Sequence, residues 1–327
     1  MKFTTYISIV FLSVGLYACS DDDLTSHLKN GQIEIVVTPS YDYDVSFVAT
    51  ADKITIDWGD DCFDNFSPNR DLQTFSHQYV NQDKHTIRIE SENLVRFSNF
   101  FTGSNGLLIS SGIFHELYVG EMNELKILNV IGELTVLEIK KANALKELIC
   151  WGKLTSLDVG GVRGLTSLHC ANNQLTSLDV RDLKALTSLY CFNNQLTTLN
   201  VRGLSALKEL GCYVNQLKSL DVRGLSELTT LICADNQLIS LDVRDLKELT
   251  MLYCYNNQLT TVDVRGLSAL KELGCNNNKL SFIALNSLFE SLPIRPAKDG
   301  SIIISNNTGS ASCNPEIATY KGWKVFR

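Results

Sequence analysis

The stretch LTSLYCFNNQLTTLNVRGLSA, Leu186 to Ala206, decides how this chain folds, because it recurs. Cysteine returns at Cys150, Cys170, Cys191, Cys212, Cys233, Cys254 and Cys275, the first interval being 20 residues and the other five 21. Leucine keeps the same step at Leu186, Leu207, Leu228, Leu249 and Leu270, and again at Leu189, Leu210, Leu231, Leu252 and Leu273. Asparagine recurs at Asn173, Asn194, Asn215, Asn236, Asn257 and Asn278. A fixed period of this kind marks stacked structural units, each burying its apolar face against the next. Residues two apart on a strand share a face, so Leu189 and Cys191 point inward while Tyr190 and Phe192 point outward. The bend at Asn194 leaves backbone groups unpaired, and a side-chain amide at every bend can satisfy them as a ladder.

The spacing fits the leucine-rich pattern L-x-x-L-x-L-x-x-N-x-L, with cysteine in the third apolar slot. The returning half, Leu196 to Leu204, is apolar inward again and too short for a full helix, which predicts an extended or 3₁₀ segment. Phe114 to Val119 and Leu134 to Ile139 match the returning half, and Leu125 to Val130 matches the strand half, so the array extends upstream. Eight strands are expected from Val130 to Cys275, roughly 35 Å of sheet at about 4.8 Å per strand. The segments Val130 to Leu134 and Cys150 to Leu154 lack the ladder asparagine, so a local irregularity is expected at both.

The chain has 10 cysteines, and a row of thiols invites metal or disulfide readings. Zinc spacing is absent, and in-register side chains hold neighbouring Cβ atoms farther apart than a bridge prefers. The row is expected to be buried thiols acting as small hydrophobes. The returning halves carry Asp158, Asp179, Asn200, Asp221, Asp242 and Asp263, with Arg181, Arg202, Arg223, Arg244 and Arg265 two residues on. Columns of opposite charge offset one another, giving a solvated, neutralised face or, alternatively, a binding one.

Outward positions on the strands include Trp151, His169, Tyr190, Phe192, Tyr213, Tyr253 and Tyr255, with Asn256 among the polar neighbours, and these are the candidate ligand-binding residues of a concave sheet. A contiguous aromatic patch suits a protein or carbohydrate contact, while cross-strand stacking is the alternative use of the same rings.

On either side the pattern changes. Ile33 to Val37, Val45 to Val48, Ile54 to Trp58 and His85 to Ile89 are short strand-like runs that predict a small β-sandwich. Ile56-Asp-Trp-Gly-Asp60, followed by His77-Gln-Tyr79, resembles a PKD-type immunoglobulin-like domain. Asp57, Asp60, Asp61 and Asp64 lie close in sequence and could collect calcium, but a turn with solvated acids is the preferred reading. Downstream, Leu285, Leu288, Phe289 and Leu292 form a helical stripe that Pro293 stops. Strands at Ile302 to Ile304 and Lys324 to Phe326, with a helical turn from Glu316 to Gly322, complete a cap over the open end.

At the N-terminus, Lys2, the apolar run Ile7 to Val14, and Leu16-Tyr-Ala-Cys19 form a signal-peptide pattern whose end resembles a bacterial lipobox, which implies lipidation at Cys19. Ser20-Asp-Asp-Asp23 begins a polar tether and resembles the surface-export signal of Bacteroidetes lipoproteins; a plain solvated spacer is the other reading. With the repeat wording N-Q-L-T-S-L-D-V (Asn173 to Val180) and the closing Lys321-Gly-Trp323, the chain resembles the leucine-rich-repeat surface lipoproteins of Bacteroidetes. That resemblance implies an outer-membrane, lipid-anchored protein facing the cell exterior, engaged in adhesion or ligand capture.

The expected organisation is a mainly β protein: signal peptide 1–19, acidic tether 20–30, PKD-like sandwich 31–105, leucine-rich-repeat solenoid 106–280 with a parallel concave sheet, and a small α/β cap 281–327. The net charge of −7 argues against a nucleic-acid partner, and five scattered histidines (His27, His77, His85, His115, His169) argue against acid–base catalysis. Neither G-x-S-x-G nor a phosphate loop occurs, so no cofactor and no enzyme activity are expected. The expected partner is a protein on host or neighbouring cells, with a glycan ligand or a passive structural role as alternatives, and the membrane is met through the lipid anchor alone.

Overall fold

The computed structural model describes residues 28–39, 44–81, 83, 85–99, 101–102, 108–109 and 113–327. Cys19, the lipobox and tether residues 20–27 lie outside the described residues. Contacts divide the chain into two compact units, residues 1–165 with 172–174, and residues 166–171 with 175–327.

The first unit holds β1 (Gln32–Thr38), β2 (Asp44–Thr50), β3 (Lys53–Asp57), β4 (Phe63–Phe66), β5 (Gln73–Gln78), β6 (His85–Glu92), β7 (Arg96–Ser98), the two-residue pair β8 (Phe101–Thr102) and β9 (Leu108–Ile109), β10 (Ile113–Glu121), β11 (Ile127–Leu134), β12 (Val136–Lys141) and β13 (Glu147–Gly152). One sheet runs β12-β10-β1-β6-β3-β4 and another β13-β11-β7-β2-β5. Period-two burial runs through the first of them. Ile33, Ile35 and Val37 of β1, Ile54 and Ile56 of β3, and Ile87 and Ile89 of β6 are buried. The sheets meet through aromatic rings: Phe47 of β2 lies 5.8 Å from Trp58, and Phe97 of β7 lies 6.4 Å from Phe114 of β10.

The border expected at residue 105 is crossed by two strand pairings. β10 pairs antiparallel with β1, Ile33 opposite Val119, and β11 pairs parallel with β7, Leu128 opposite Phe97. β1 and β7 each have a second edge beyond β6 and β2 to satisfy, and the start of the array pairs with it. The upstream returning halves also differ from the expected short segments, because β10 and β12 are full strands paired in parallel, Leu117 opposite Leu137. Both are rich in β-branched and aromatic residues, and β1 supplies the ladder that holds β10 extended while β10 in turn supplies that of β12. Irregularity falls where the ladder asparagine is missing: the β11–β13 register shifts between Ile131 and Leu134. Lys153 and Glu133, next to the two shortened bends, pair with each other.

The second unit is a run of parallel strands in chain order: β14 (Ser167–His169), β15 (Ser188–Tyr190), β16 (Glu209–Gly211), β17 (Thr230–Ile232), β18 (Met251–Tyr253) and β19 (Glu272–Gly274). Leu168, Leu189, Leu210, Leu231, Leu252 and Leu273 stand in register across them, all buried. The cap carries the sheet onward. Helix α1 (Phe282–Ser291), begun by the Ser281 hydroxyl accepting from Ala284 N, buries Leu285, Leu288 and Phe289. After it β20 (Gly300–Ile303) pairs parallel with β19, and after α2 (Glu316–Tyr320) β21 (Trp323–Phe326) pairs parallel with β20.

Between strands the coils turn without regular helix, the returning halves being extended segments and turns. Asn194 shows how a bend is closed: its Oδ1 accepts from Leu175 N at 3.0 Å and its Nδ2 donates to Cys170 O at 3.0 Å, both on the preceding coil. Asn215, Asn236, Asn257 and Asn278 repeat this geometry one coil at a time. Within the first unit Asn173 does the same for Leu154 N and Cys150 O. Each rung satisfies a buried donor and a buried acceptor, groups that cost about 1–3 kcal/mol apiece when orphaned.

None of the nine described cysteines is in a disulfide, and the seven in the row are fully buried. Burial pushes the thiols of Cys150, Cys191 and Cys254 up to about 12, so they pack as apolar groups and stay protonated.

Candidate functional site

The second unit presents three outward columns on its strand face. The first is Ser167, Ser188, Glu209, Thr230, Met251 and Glu272; the second is His169, Tyr190, Gly211, Ile232, Tyr253 and Gly274; the third contains Phe192, Tyr213 and Tyr255. Six of the eight residues expected to bind a ligand, His169, Tyr190, Phe192, Tyr213, Tyr253 and Tyr255, share this face. All six are half-buried.

They fall into two patches. His169 meets Tyr190 edge-on at 4.8 Å, Tyr190 lies 6.4 Å from Phe192, and Phe192 stacks on Tyr213 at 4.3 Å with ring planes 8° apart. Tyr253 and Tyr255 form the second patch at 6.3 Å. Ile232 and the buried Ala234 separate them, yet burial and the nearby Tyr255 phenol together raise the Tyr213 hydroxyl. Stacking therefore accounts for part of what these rings do, and the outward surface they leave is amphipathic and stiff.

Each patch is seated on a glycine. A Cβ on Gly211 would come within 2.5 Å of Tyr190 Cδ1, and one on Gly274 within 3.0 Å of Tyr253 Cδ1. The rings lie flat across the next strand because nothing larger than hydrogen stands there. Their hydroxyls are held too: Tyr190 donates to Glu209 at 3.0 Å and Tyr253 to Glu272 at 2.5 Å. Burial first and then Glu209 push Tyr190 up to about 12; for Tyr253 the Glu272 hydrogen bond leads and burial follows, again to about 12.

Glu209 and Glu272 were absent from the sequence-based candidates. A signal for them exists, since Leu204-Ser-Ala-Leu-Lys-Glu-Leu-Gly-Cys212 recurs unchanged from Leu267 to Cys275, three coils later. A second omission is Asn307, which donates to Cys275 O at 3.0 Å and accepts from Leu280 N at 3.1 Å, adding a rung beyond Asn278. Its signal is Ile302-x-Ile304-x-x-Asn307, the strand wording with isoleucine in the cysteine slot.

Two expected ligand residues stand elsewhere. Trp151 lies on β13 of the first unit, half-buried, its Nε1 enclosed with no hydrogen-bond partner among the described residues. Asn256 is a turn residue at φ 52° whose amide donates to Asp235 at 2.6 Å. Asn193, Asp235 and Asn277 occupy the same left-handed position in their coils, so backbone conformation explains these polar residues. Val214 takes that position at φ 53°, a strained choice for a β-branched side chain.

On the returning halves the expected charge columns resolve into pairs within a coil: Arg181 with Asp179, Arg223 with Asp221, Arg244 with Asp242 and Arg265 with Asp263. Where Asn200 replaces the aspartate, Arg202 reaches Asp221 of the next coil, Nε to Oδ2 2.6 Å. The Arg181 and Arg244 guanidiniums draw the Asp179 and Asp242 carboxyls down to about 2. Among the described residues no helix is long and apolar enough to cross a membrane.

Residues 163–204 match the family model described as Leucine Rich repeats (2 copies). Among solved structures, the functional domain of InlJ from Listeria monocytogenes, described as including a cysteine ladder, is 30% identical over 62% of this chain, with a TM-score of 0.52. This chain covers 45% of that domain, under half its length. The internalin inlF of Listeria monocytogenes is 19% identical over 68% of this chain and 90% of its own, TM-score 0.45. YopM from Yersinia enterocolitica is 21% identical over 64% of this chain and 46% of its own, TM-score 0.45. No curated protein sequence matches significantly. Residues 163–204 thus match leucine-rich repeats, and the stacked parallel coils form a β-solenoid of the leucine-rich-repeat fold.

Proposed function

We propose that this protein is a non-enzymatic binding scaffold that holds a protein partner against the aromatic face of its second unit. The observation that carries this reading is the pair of patches, Tyr190 with Phe192 and Tyr213, and Tyr253 with Tyr255, on one stiff parallel sheet. Aromatic rings with a polar tip are enriched at protein interfaces because they bury large areas at low entropic cost. Glu209 and Glu272 fix the phenols in advance, which lowers the ordering cost of association. Likeness to InlJ supports a scaffold of this fold.

The sequence pattern around Cys19 supports export and lipid anchoring, with the acidic tether directing the protein to the outer face of an outer membrane and residues 31–105 serving as a PKD-like spacer. In that setting the partner is a protein of a host or neighbouring cell. The near-coplanar Phe192–Tyr213 stack favours one second reading, glycan capture, since a flat aromatic platform suits a sugar ring.

The test is binding of the full chain to arrays of extracellular proteins and of glycans, repeated with Phe192→Ala/Tyr213→Ala and with Tyr255→Ala. Loss of protein binding by about tenfold or more, with the circular dichroism spectrum unchanged, is the expected result. Undiminished binding in both variants would reject the face, and loss confined to the glycan array would favour the second reading.

A further inference from the structure

The first unit contains a cluster unrelated to the aromatic face. Asp60, Cys62 and His77 each bring one ligand atom to a common point, all within 4.8 Å of one another. The loop between β3 and β4 supplies two of them. Trp58 N donates to Cys62 O at 3.0 Å to close the loop, and Asp61 takes φ 67°, which sets Asp60 and Cys62 toward the same point. His77 comes from β5, an edge strand of the other sheet. Its ring stacks on Trp58 at 5.0 Å and meets Tyr79 edge-on at 4.6 Å, while the Tyr79 hydroxyl donates to Trp58 O. Thus the imidazole is fixed before any ligand arrives, and its Nε2 lies 2.7 Å from Asp60 Oδ2.

The donor set decides which ion could enter. The four carboxylates considered for calcium do not converge: Asp57 accepts from Gly59 N, Asp64 accepts from Trp58 Nε1, and only Asp60 faces the thiol and imidazole. One thiolate, one imidazole and one carboxylate suit a borderline-soft divalent ion and leave the fourth tetrahedral position open. Zinc–ligand bonds of about 2.0–2.3 Å place ligand atoms roughly 3.3–3.7 Å apart, so the Asp60–His77 pair, now at 2.7 Å, would open slightly.

The geometry points to a zinc-class cation site at Asp60, Cys62 and His77 that staples the loop leading into β4 to β5, β4 and β5 being edge strands of the two sheets in this unit. On binding, the Cys62 S–H bond breaks, its proton leaves to solvent and the sulfur lone pair bonds the metal. The His77 proton moves to Nδ1, so that Nε2 coordinates as neutral imidazole. No oxidant is required. Pinning the loop of one sheet to the edge strand of the other couples metal binding to the stability of the unit.

Cys62 is the exposed thiol among the described cysteines, the others being buried, so its reactivity is a direct readout. The reduced full-length protein is alkylated under native conditions with and without Zn²⁺, and modification of Cys62 is followed by peptide mapping. Zn²⁺ is expected to slow that modification by at least about tenfold, with Ca²⁺ and Mg²⁺ having no effect, and Asp60→Asn or His77→Gln should raise the Zn²⁺ needed by at least about tenfold. Co²⁺ should give a thiolate charge-transfer absorption that Cys62→Ser, a change at an exposed position, abolishes. Failure of Zn²⁺ to protect Cys62 in the unaltered protein would overturn the assignment. So would full protection in both variants, or an unchanged cobalt spectrum in Cys62→Ser.

Discussion

Residues 113–141 and residues 175–280 share one alternation of inward and outward residues, yet their returning halves fold differently. In the first region the returns are strands, β10 and β12, because β1 offers β10 a full antiparallel partner from Gln32 to Thr38. In the second, a return makes one backbone bond to the coil before it, as Gln195 N does to Leu175 O, and then closes through short turns such as Leu204 N to Val201 O. What the second region lacks in lateral pairing it recovers through asparagine: every coil there carries its own rung. The bends near Ile131 and Trp151 carry no ladder asparagine of their own and are served by Asn99 and Asn173 from neighbouring segments, and the β11–β13 register shifts between Ile131 and Leu134. Two solutions therefore satisfy the same backbone, a neighbouring strand or a buried amide.

The largest expected effect breaks a rung. Asn236→Ala removes the partner of Leu217 N and one of the two amide donors to Cys212 O, the other being Asn215, and should cost about 1–3 kcal/mol in a denaturant titration. Lys153→Ala, beside a bend with no ladder asparagine of its own, should cost under about 1 kcal/mol because its ion pair with Glu133 is exposed. Equal losses would mean that the amides do not stand in for strand pairing. A smaller effect sharpens the comparison among the coils themselves. Val214→Asn should gain about 1 kcal/mol and Asn193→Val should lose about as much, since both positions are left-handed and an asparagine side chain tolerates that conformation. A Val214→Asn protein no more stable than its parent would show that the strain is relieved elsewhere.

The smallest effect is electrostatic and lies on the candidate face. Tyr190 and Tyr253 are pushed up to about 12 from the ordinary 10, so the neutral phenols are favoured by the fold. A raised folded value means that their contribution is complete below about pH 10 and is lost as pH rises through about 12. In an ultraviolet titration Glu209→Gln should lower the pH at which Tyr190 ionises and leave that of Tyr253 in place. An unmoved Tyr190 would mean that burial alone raises it.

Much of the fold was legible because its cause is local and repeated. The 21-residue step of Leu189, Cys191 and Asn194 specifies which side chains are inward and where each bend falls, and six of the eight candidate aromatic-face residues follow from that alternation. Glu209 and Glu272 were missed because their role depends on which residue of the next strand lies beside a tyrosine, a relation of 19 positions that no single coil displays. Asn307 was missed because α1 interrupts the period between Asn278 and itself. For Asn256 the sequence shows the polarity that makes it a candidate contact, while its left-handed φ is visible only in the structure.

By itself, the sequence determined the coil: its length, its buried leucines and thiols, and the amide at each bend, since all of these follow from side-chain alternation and backbone hydrogen-bond demand within one period. Only the tertiary structure decided where the returns become strands, which phenol meets which carboxylate, and that Asp60, Cys62 and His77 share one point. Those outcomes depend on strand edges and ring positions that are brought together from distant parts of the chain, and no local pattern records them.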